Sequence, residues 1–242
     1  MISAKKLNLF RNKTQLLKDL NIEFNKGEFW AILGKNGTGK TSLLHTLAGL
    51  SEYTSGNILI EGKELSSIKP IDRAQSIALL SQIMESGLDC TVEQTISYGR
   101  YAWNRSKQNI EDEKVIIDQA INEMQLDKLR HKSIQKISGG ELRKVEIATI
   151  LAQNSDILLF DEPLNHLDLS FRSILMDVLK KLSDKKIIIM VTHDIQYVKA
   201  YCTDVLMLLE KGQYAYGKTD DVMNQNNINK MFAINLPENV FI

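Results

Sequence analysis

Cysteine is scarce: Cys90 and Cys202 are the only two in 242 residues, far apart and without CxxC or Cys/His spacing. That argues against a thiolate metal site and points to a reducing compartment. Proline is rare too, with three residues, and no Pro- or Ser-rich stretch marks a linker. Net charge is missing, because 30 Lys plus Arg balance 30 Asp plus Glu. This removes any global electrostatic case for nucleic acid or an anionic membrane as the main partner. No uninterrupted apolar run approaches the roughly 20 residues of a membrane span. Met1–Lys6 has no apolar core of a secretory signal. The expectation is a soluble cytoplasmic protein whose membrane role, if it has one, comes through a partner. The length suits one large unit better than two full domains, and no internal repeat is visible.

What is present centres on Gly34-Lys35-Asn36-Gly37-Thr38-Gly39-Lys40-Thr41, the spacing G-x-x-x-x-G-K-[ST]. Phe29–Leu33 upstream reads as a buried strand, and Ser42–Leu50 downstream has leucines at helical spacing. A strand, a glycine loop and a helix start let several backbone N–H groups converge on one polyphosphate, with the helix dipole adding favourable potential. Lys40 is expected to reach the outer phosphates and Thr41 to offer a hydroxyl to Mg²⁺. With strand and helix on both sides, a chance match is disfavoured and nucleoside triphosphate binding is expected.

Before this loop, Lys6–Phe10 and Leu20–Phe24 read as strands, the second with clean alternation, joined to the next strand by the turn Asn25-Lys26-Gly27. Phe10 reads first as a core aromatic and second as a ring that stacks on a base. Further strands follow at Asn57–Glu61 and Ser76–Gln82. Met84–Lys136 is more charged, lacks apolar β runs and carries helical spacing in Val115, Ile116, Ala120, Ile121, Met124 and Leu126, so it reads as a helical insert. Trp103–Asn109 is its most loop-like stretch.

Ser138-Gly139-Gly140-Glu141 opens a strongly patterned helix. Taken alone, it reads as a capping box with Ser138 and Glu141 more readily than as an anion site. Ile157–Phe160 is a buried strand that ends in Asp161-Glu162, stopped by Pro163. A carboxylate at the end of such a strand sits where α/β sheets bind ligands; Asp161 suits Mg²⁺ and Glu162 suits a base that activates water. Leu169 to about Leu182 reads as a helix, and Ile187–Val191 as a strand ending at His193. His193 alone reads as a strand-end histidine or as a contact to a γ-phosphate. Asp204–Glu210 and Gln213–Tyr216 form a terminal hairpin, and from Thr219 a polar helix packs down Met231 and Phe232.

The order of these pieces resembles the ATP-binding cassette (ABC) ATPases over nearly the whole chain. The specific part is Ser138–Glu141 placed shortly before Asp161-Glu162, and it moves Ser138, Glu162 and His193 to the functional reading. The resemblance implies an α/β phosphate-loop NTPase with a RecA-like core, an antiparallel β subdomain and a helical insert. Residues 1–83 and 137–242 would form the catalytic core with the β subdomain, and 84–136 the helical subdomain, in one domain of 1–242. Gly34–Ser42 resemble the Walker A loop, Asp161 the Walker B aspartate, and Gln82 the glutamine that touches Mg²⁺ and faces the membrane partner. Ser138, Gly139, Gly140 and Glu141 resemble the signature that binds the γ-phosphate on the opposite subunit. Glu162 matches the catalytic base, Asp168 the D-loop aspartate, His193 the switch histidine, and Phe10 the aromatic that stacks on adenine. Ile137, Glu141 and Phe10 stand where the family more often has Leu, Gln and Tyr, and none of these changes removes a needed group.

The cofactors implied are ATP and Mg²⁺. The partners implied are a second copy, packed head to tail around two ATP molecules, and separate transmembrane permease subunits, with no nucleic acid. Such a protein sits on the cytoplasmic face of the inner or plasma membrane and touches it only through the permease. Ser97-Tyr98-Gly99-Arg100-Tyr101 and Asn165–Leu169 look like the branch that imports iron-siderophores, haem or cobalamin. No regulatory domain is expected after the last hairpin. The alternative is a cassette ATPase outside transport, such as an iron–sulfur assembly ATPase.

Overall fold

The computed structural model describes residues 1–12, 14–81, 89–103 and 110–232. Phe29–Gly34 (β3) is buried at every position, which is what a strand covered on both faces requires. The strands before it are β1 (Ile2–Arg11) and β2 (Thr14–Phe24). Those after it are β4 (Ser55–Ile60), β5 (Lys63–Glu64), β6 (Ile77–Leu80), β7 (Ile157–Asp161), β8 (Ile187–Val191), β9 (Asp204–Leu208) and β10 (Tyr214–Lys218).

These strands make two sheets. One has the order β10-β9-β3-β8-β7-β6, parallel except for β10 at its edge, and the other is antiparallel with the order β2-β1-β4-β5. The six-stranded sheet separates two cores. Trp30, Ile32, Leu159, Ile189 and Leu206 face the antiparallel sheet and the helix α1 (Lys40–Leu47). Ala31, Leu33, Phe160, Met190 and Met207 face the opposite side. Side chains of a strand alternate between its faces, so a continuous apolar run fills both cores at once.

The first two strands extend well beyond Lys6–Phe10 and Leu20–Phe24. Ile2 and Ala4 are buried, and β1 is paired on both sides, by β2 and by β4. That extension comes from cross-strand pairing, which local patterning does not carry. The remaining helices are α2 (Pro70–Ser76), α3 (Val92–Ser97), α4 (Ile110–Glu123), α5 (Gly139–Gln153), α6 (Leu169–Ser183), α7 (Ile195–Tyr201), α8 (Thr219–Val222) and α9 (Gln225–Phe232). Between Asp89 and Lys136 the described residues form helices and turns with a single isolated bridge, Thr91 to Ser133. Met231 is buried and Phe232 packs against the core.

Arg100 docks the helical stretch onto the sheet-facing core. It is buried, forks onto Glu113 of α4 at 2.6 and 2.8 Å, and donates to the carbonyls of Ala152 and Gln153 at 3.0 and 3.2 Å. Those carbonyls end α5, where a helix has unpaired acceptors and the negative end of its dipole. No helix among the described residues is long and apolar enough to cross a membrane.

Candidate active site

The carboxyl ends of β3, β7 and β8 meet at one edge of the parallel sheet. Such sheets leave a crevice there, and here it is a pocket of about 350 Å³. Asn36, Gly37, Gly39, Lys40, Thr41 and Ser42 form one wall, and Asp161, Glu162, Val191 and His193 form the other. Gly39 precedes α1 in the left-handed region at φ 101°, which an L side chain rarely adopts, so glycine permits the turn. No side chain caps α1 and its first turn holds no acid. Its first N–H groups and the positive end of its dipole are therefore left for an anion.

Lys40 is buried and donates to the carbonyl oxygens of Gly34 at 2.8 Å and Lys35 at 3.0 Å. Burial lowers its pKa, while Glu162 and Asp161 pull it the other way. The Thr38 hydroxyl donates to the Lys35 carbonyl at 2.9 Å, and the Lys35 ammonium pairs with Glu210 at 2.8 Å. Both bonds brace the loop from outside the pocket.

Asp161 has no exposed surface, and neither of its carboxylate oxygens has a hydrogen-bond partner among the described residues. A buried carboxylate without donors is costly unless a cation neutralises it. Among the described residues no group of three or more His, Cys, Asp or Glu side chains is arranged to hold a metal. The donor set of Asp161 and the Thr41 hydroxyl therefore suits a hard divalent cation that takes its remaining ligands from phosphate and water.

Glu162 follows directly and is also buried. Its backbone is left-handed at φ 51°, and its N–H donates to the Val191 carbonyl at 3.0 Å. Its Oε1 lies 2.7 Å from Nε2 of His193. Burial pushes the Glu162 carboxyl up to about 7, with Asp161 adding to the rise and Lys40 and Arg143 opposing it. Burial, then Lys40, lower the pKa of His193. A carboxyl raised to about 7 suits a general base working at neutral pH.

Other predicted residues lie elsewhere. Phe10 is 46 % exposed and outside the pocket lining, whereas its neighbour Arg11 and Leu16 line it. Neither of these two stands out in the sequence; for Arg11, being next to Phe10 is the one available signal. Gln82 lies outside the described residues. Ser138 and Gly139 are exposed at the start of α5, away from the pocket lining. Ser138 caps the helix: its hydroxyl accepts from the Glu141 N–H at 3.3 Å, and Glu141 accepts from the Ser138 N–H at 2.7 Å and hydroxyl at 2.8 Å. These bonds hold the Glu141 carboxylate below its usual range. Gly140 is packed so that a Cβ there would stand 3.0 Å from the His166 carbonyl. Asp168 caps α6, accepting from Ser170 at 2.5 Å and the Phe171 N–H at 2.8 Å, which lowers its pKa. Glu162 and His193 also line a second groove of about 980 Å³, together with Asn165, Arg172, Gln196 and Phe232.

Comparison with known proteins adds four observations. The profile described as ABC transporter matches residues 17–165. The chain is 36 % identical over 203 residues to the uncharacterized ABC transporter ATP-binding protein YvrA of Bacillus subtilis (strain 168), covering 82 % of this chain but only 46 % of that relative. It is 33 % identical over 240 residues to the petrobactin import ATP-binding protein FpuC of Bacillus anthracis, covering 97 % of this chain and 87 % of the relative. Among solved structures, cbiO1 of Clostridium perfringens, part of the ABC transporter complex cbiONQ, superposes with a TM-score of 0.78 at 28 % identity, over 94 % of this chain and 92 % of that one.

Proposed function

The chain belongs to the ABC transporter family, and on that premise we propose that it is the ATP-binding and ATP-hydrolysing subunit of a membrane transporter. The observation that carries the reading is Glu162, a buried carboxyl that meets His193 at 2.7 Å and lines one pocket with the phosphate loop. ATP places its phosphates on the N–H groups at the start of α1 and against Lys40. Water, held by Glu162, attacks the γ-phosphorus in line with the bridging oxygen. The new P–O bond forms as the β–γ bridge breaks, Glu162 takes the water proton, and ADP and phosphate leave. His193 holds the Glu162 carboxylate in place through its Nε2. Asp161 and Thr41 are the residues that would hold Mg²⁺, which supplies charge neutralisation at the phosphates; Gln82 is a further ligand on the family pattern.

Two copies pack head to tail, each presenting Ser138–Glu141 to the nucleotide of the other. The exposed Ser138 and Gly139, and their separation from the pocket within one chain, support this arrangement. ATP then bridges surfaces that separate after hydrolysis, and this two-state cycle drives the permease. The helices between Asp89 and Lys136 belong to the helical subdomain, and the protein sits at the cytoplasmic face of the membrane through the permease. The importer reading, for an iron-siderophore, haem or cobalamin type of cargo, is supported by the petrobactin import protein among the relatives. The relatives above give no support to an iron–sulfur assembly ATPase.

The test is a pull-down of tagged E162Q protein from detergent-solubilised membranes with ATP and Mg²⁺, with partners identified by mass spectrometry. A polytopic permease is expected. Only soluble partners, reproducibly, would overturn the transport reading.

A further inference from the structure

Arg143 has almost no access to water, and no step of the chemistry above uses it. Its Nη2 donates to two consecutive backbone carbonyls, Asp161 at 3.0 Å and Glu162 at 2.8 Å. Its Nη1 donates to the Glu146 carboxylate at 2.7 Å and to the Ser81 carbonyl at 3.4 Å. Glu146 is buried as well, and the Nε of Arg143 is buried without a partner among the described residues. Burying a guanidinium is expensive, and a buried ion pair is often no better for stability than apolar residues of the same volume. Stability alone is therefore a poor account of this arginine.

The carbonyls it grips flank the left-handed backbone of Glu162, at φ 51°. A residue in that region stores on the order of 1 kcal/mol or more and persists only when its surroundings over-determine it. Here they do: the Val191 carbonyl takes the Glu162 N–H, and Arg143 takes the carbonyls on both sides of its Cα. With both peptide planes fixed, the Cα–Cβ direction of Glu162 is fixed too, and from it the carboxylate meets His193.

We propose that Arg143 is a positioning residue, which clamps the Asp161 and Glu162 carbonyls and so aims the Glu162 carboxylate at His193 and the phosphate pocket. Arg143 lies on α5 near its Ser138 start, so the clamp ties the beginning of that helix to the acid pair. The catalytic consequence rests on the proposed ATPase function; the clamp itself does not.

Two variants and two readouts test it. In R143K an ammonium keeps the pair with Glu146 but loses the planar fork that spans two carbonyls. The double variant R143M/E146L removes the buried charges together, so it is expected to fold. In both, kcat for phosphate release falls roughly tenfold to a hundredfold, because small misplacements of a catalytic group are costly. KM stays within about threefold, since the loss falls in the transition state. Hydrogen exchange in the nucleotide-free protein speeds up over residues 162–167 while β3 and β8 keep their protection. Unmodified kcat in R143K, or unmodified exchange over 162–167 in the folded double variant, overturns the proposal. If the unmodified chain releases no phosphate from ATP, the functional reading fails, and the exchange measurement alone still decides the clamp.

Discussion

Asp161 and Glu162 are consecutive, both buried, and bonded in opposite ways. Glu162 meets His193 at 2.7 Å, while both carboxylate oxygens of Asp161 lack any partner among the described residues. Adjacent carboxyls with different surroundings can divide the work. On the proposed function, Asp161 is the one open to a cation and Glu162 the one that takes a proton.

The division sets a pH dependence. Glu162 must be ionised to accept a proton, and burial raises its pKa to about 7. The kcat/KM for ATP is expected to rise with pH through that region, because kcat/KM reports groups of the free enzyme. Initial rates of phosphate release from pH 5.5 to 9 check this, and a profile flat across 6 to 8 contradicts it.

Stability moves the other way. The folded pKa of Glu162, about 7, lies above its usual 4.5, so between these values the folded state binds more protons than the unfolded state. Stability contributed by this group is therefore full below about pH 4.5 and is lost as pH rises through 7. E162Q has no charge to bury and is expected to be more stable than the unmodified protein at pH 8, by roughly 1 to 3 kcal/mol. The gain shrinks towards pH 5. Urea unfolding at the two pH values reads it, and an equal difference at both removes the argument.

Asp161 is tested through its missing partners. D161N keeps the shape but loses the charge, so the extra thermal stabilisation that Mg²⁺ adds to ATP should disappear. ATP alone is expected to stabilise D161N at least as well as the unmodified chain, because a buried negative charge near the phosphates is gone. Melting curves with ATP, with and without Mg²⁺, decide it; a full Mg²⁺ effect in D161N would place the cation elsewhere.

E162Q retains every phosphate contact and lacks the base. With saturating ATP and Mg²⁺ it is expected to run as a dimer in light scattering and to return to monomer when the nucleotide is removed. Monomer under saturating ATP would falsify the head-to-tail arrangement.

Gly99 provides a control away from the site. A Cβ there would stand 2.3 Å from the Thr149 carbonyl on α5. G99A must push two packed helical segments apart and is expected to cost about 1 to 3 kcal/mol. Differential scanning calorimetry measures it, and ATP affinity should stay unchanged.

That glycine also bears on how the sequence is read. Ser97–Tyr101 served as a sign of one importer branch, yet Gly99 packs on α5 and Arg100 caps the end of that helix. The stretch thus has a packing role whatever the cargo is. Ser138 to Glu141 does form the capping box that its spacing suggests, with Ser138 left exposed.

The sequence by itself determined the buried strands of the parallel sheet, the phosphate loop and the acid pair. These are local: a glycine spacing, an apolar run and a charge at its end each act through near neighbours in the chain. The tertiary structure decided which of two adjacent acids has a partner, that Arg11 and not Phe10 lines the pocket, and that Arg143 grips the chain at Asp161 and Glu162. Burial and hydrogen-bond partners come from residues far apart in the chain. Only folding brings position 143 to 161, or 193 to 162, and with them the low dielectric that moves a carboxyl to neutral pH.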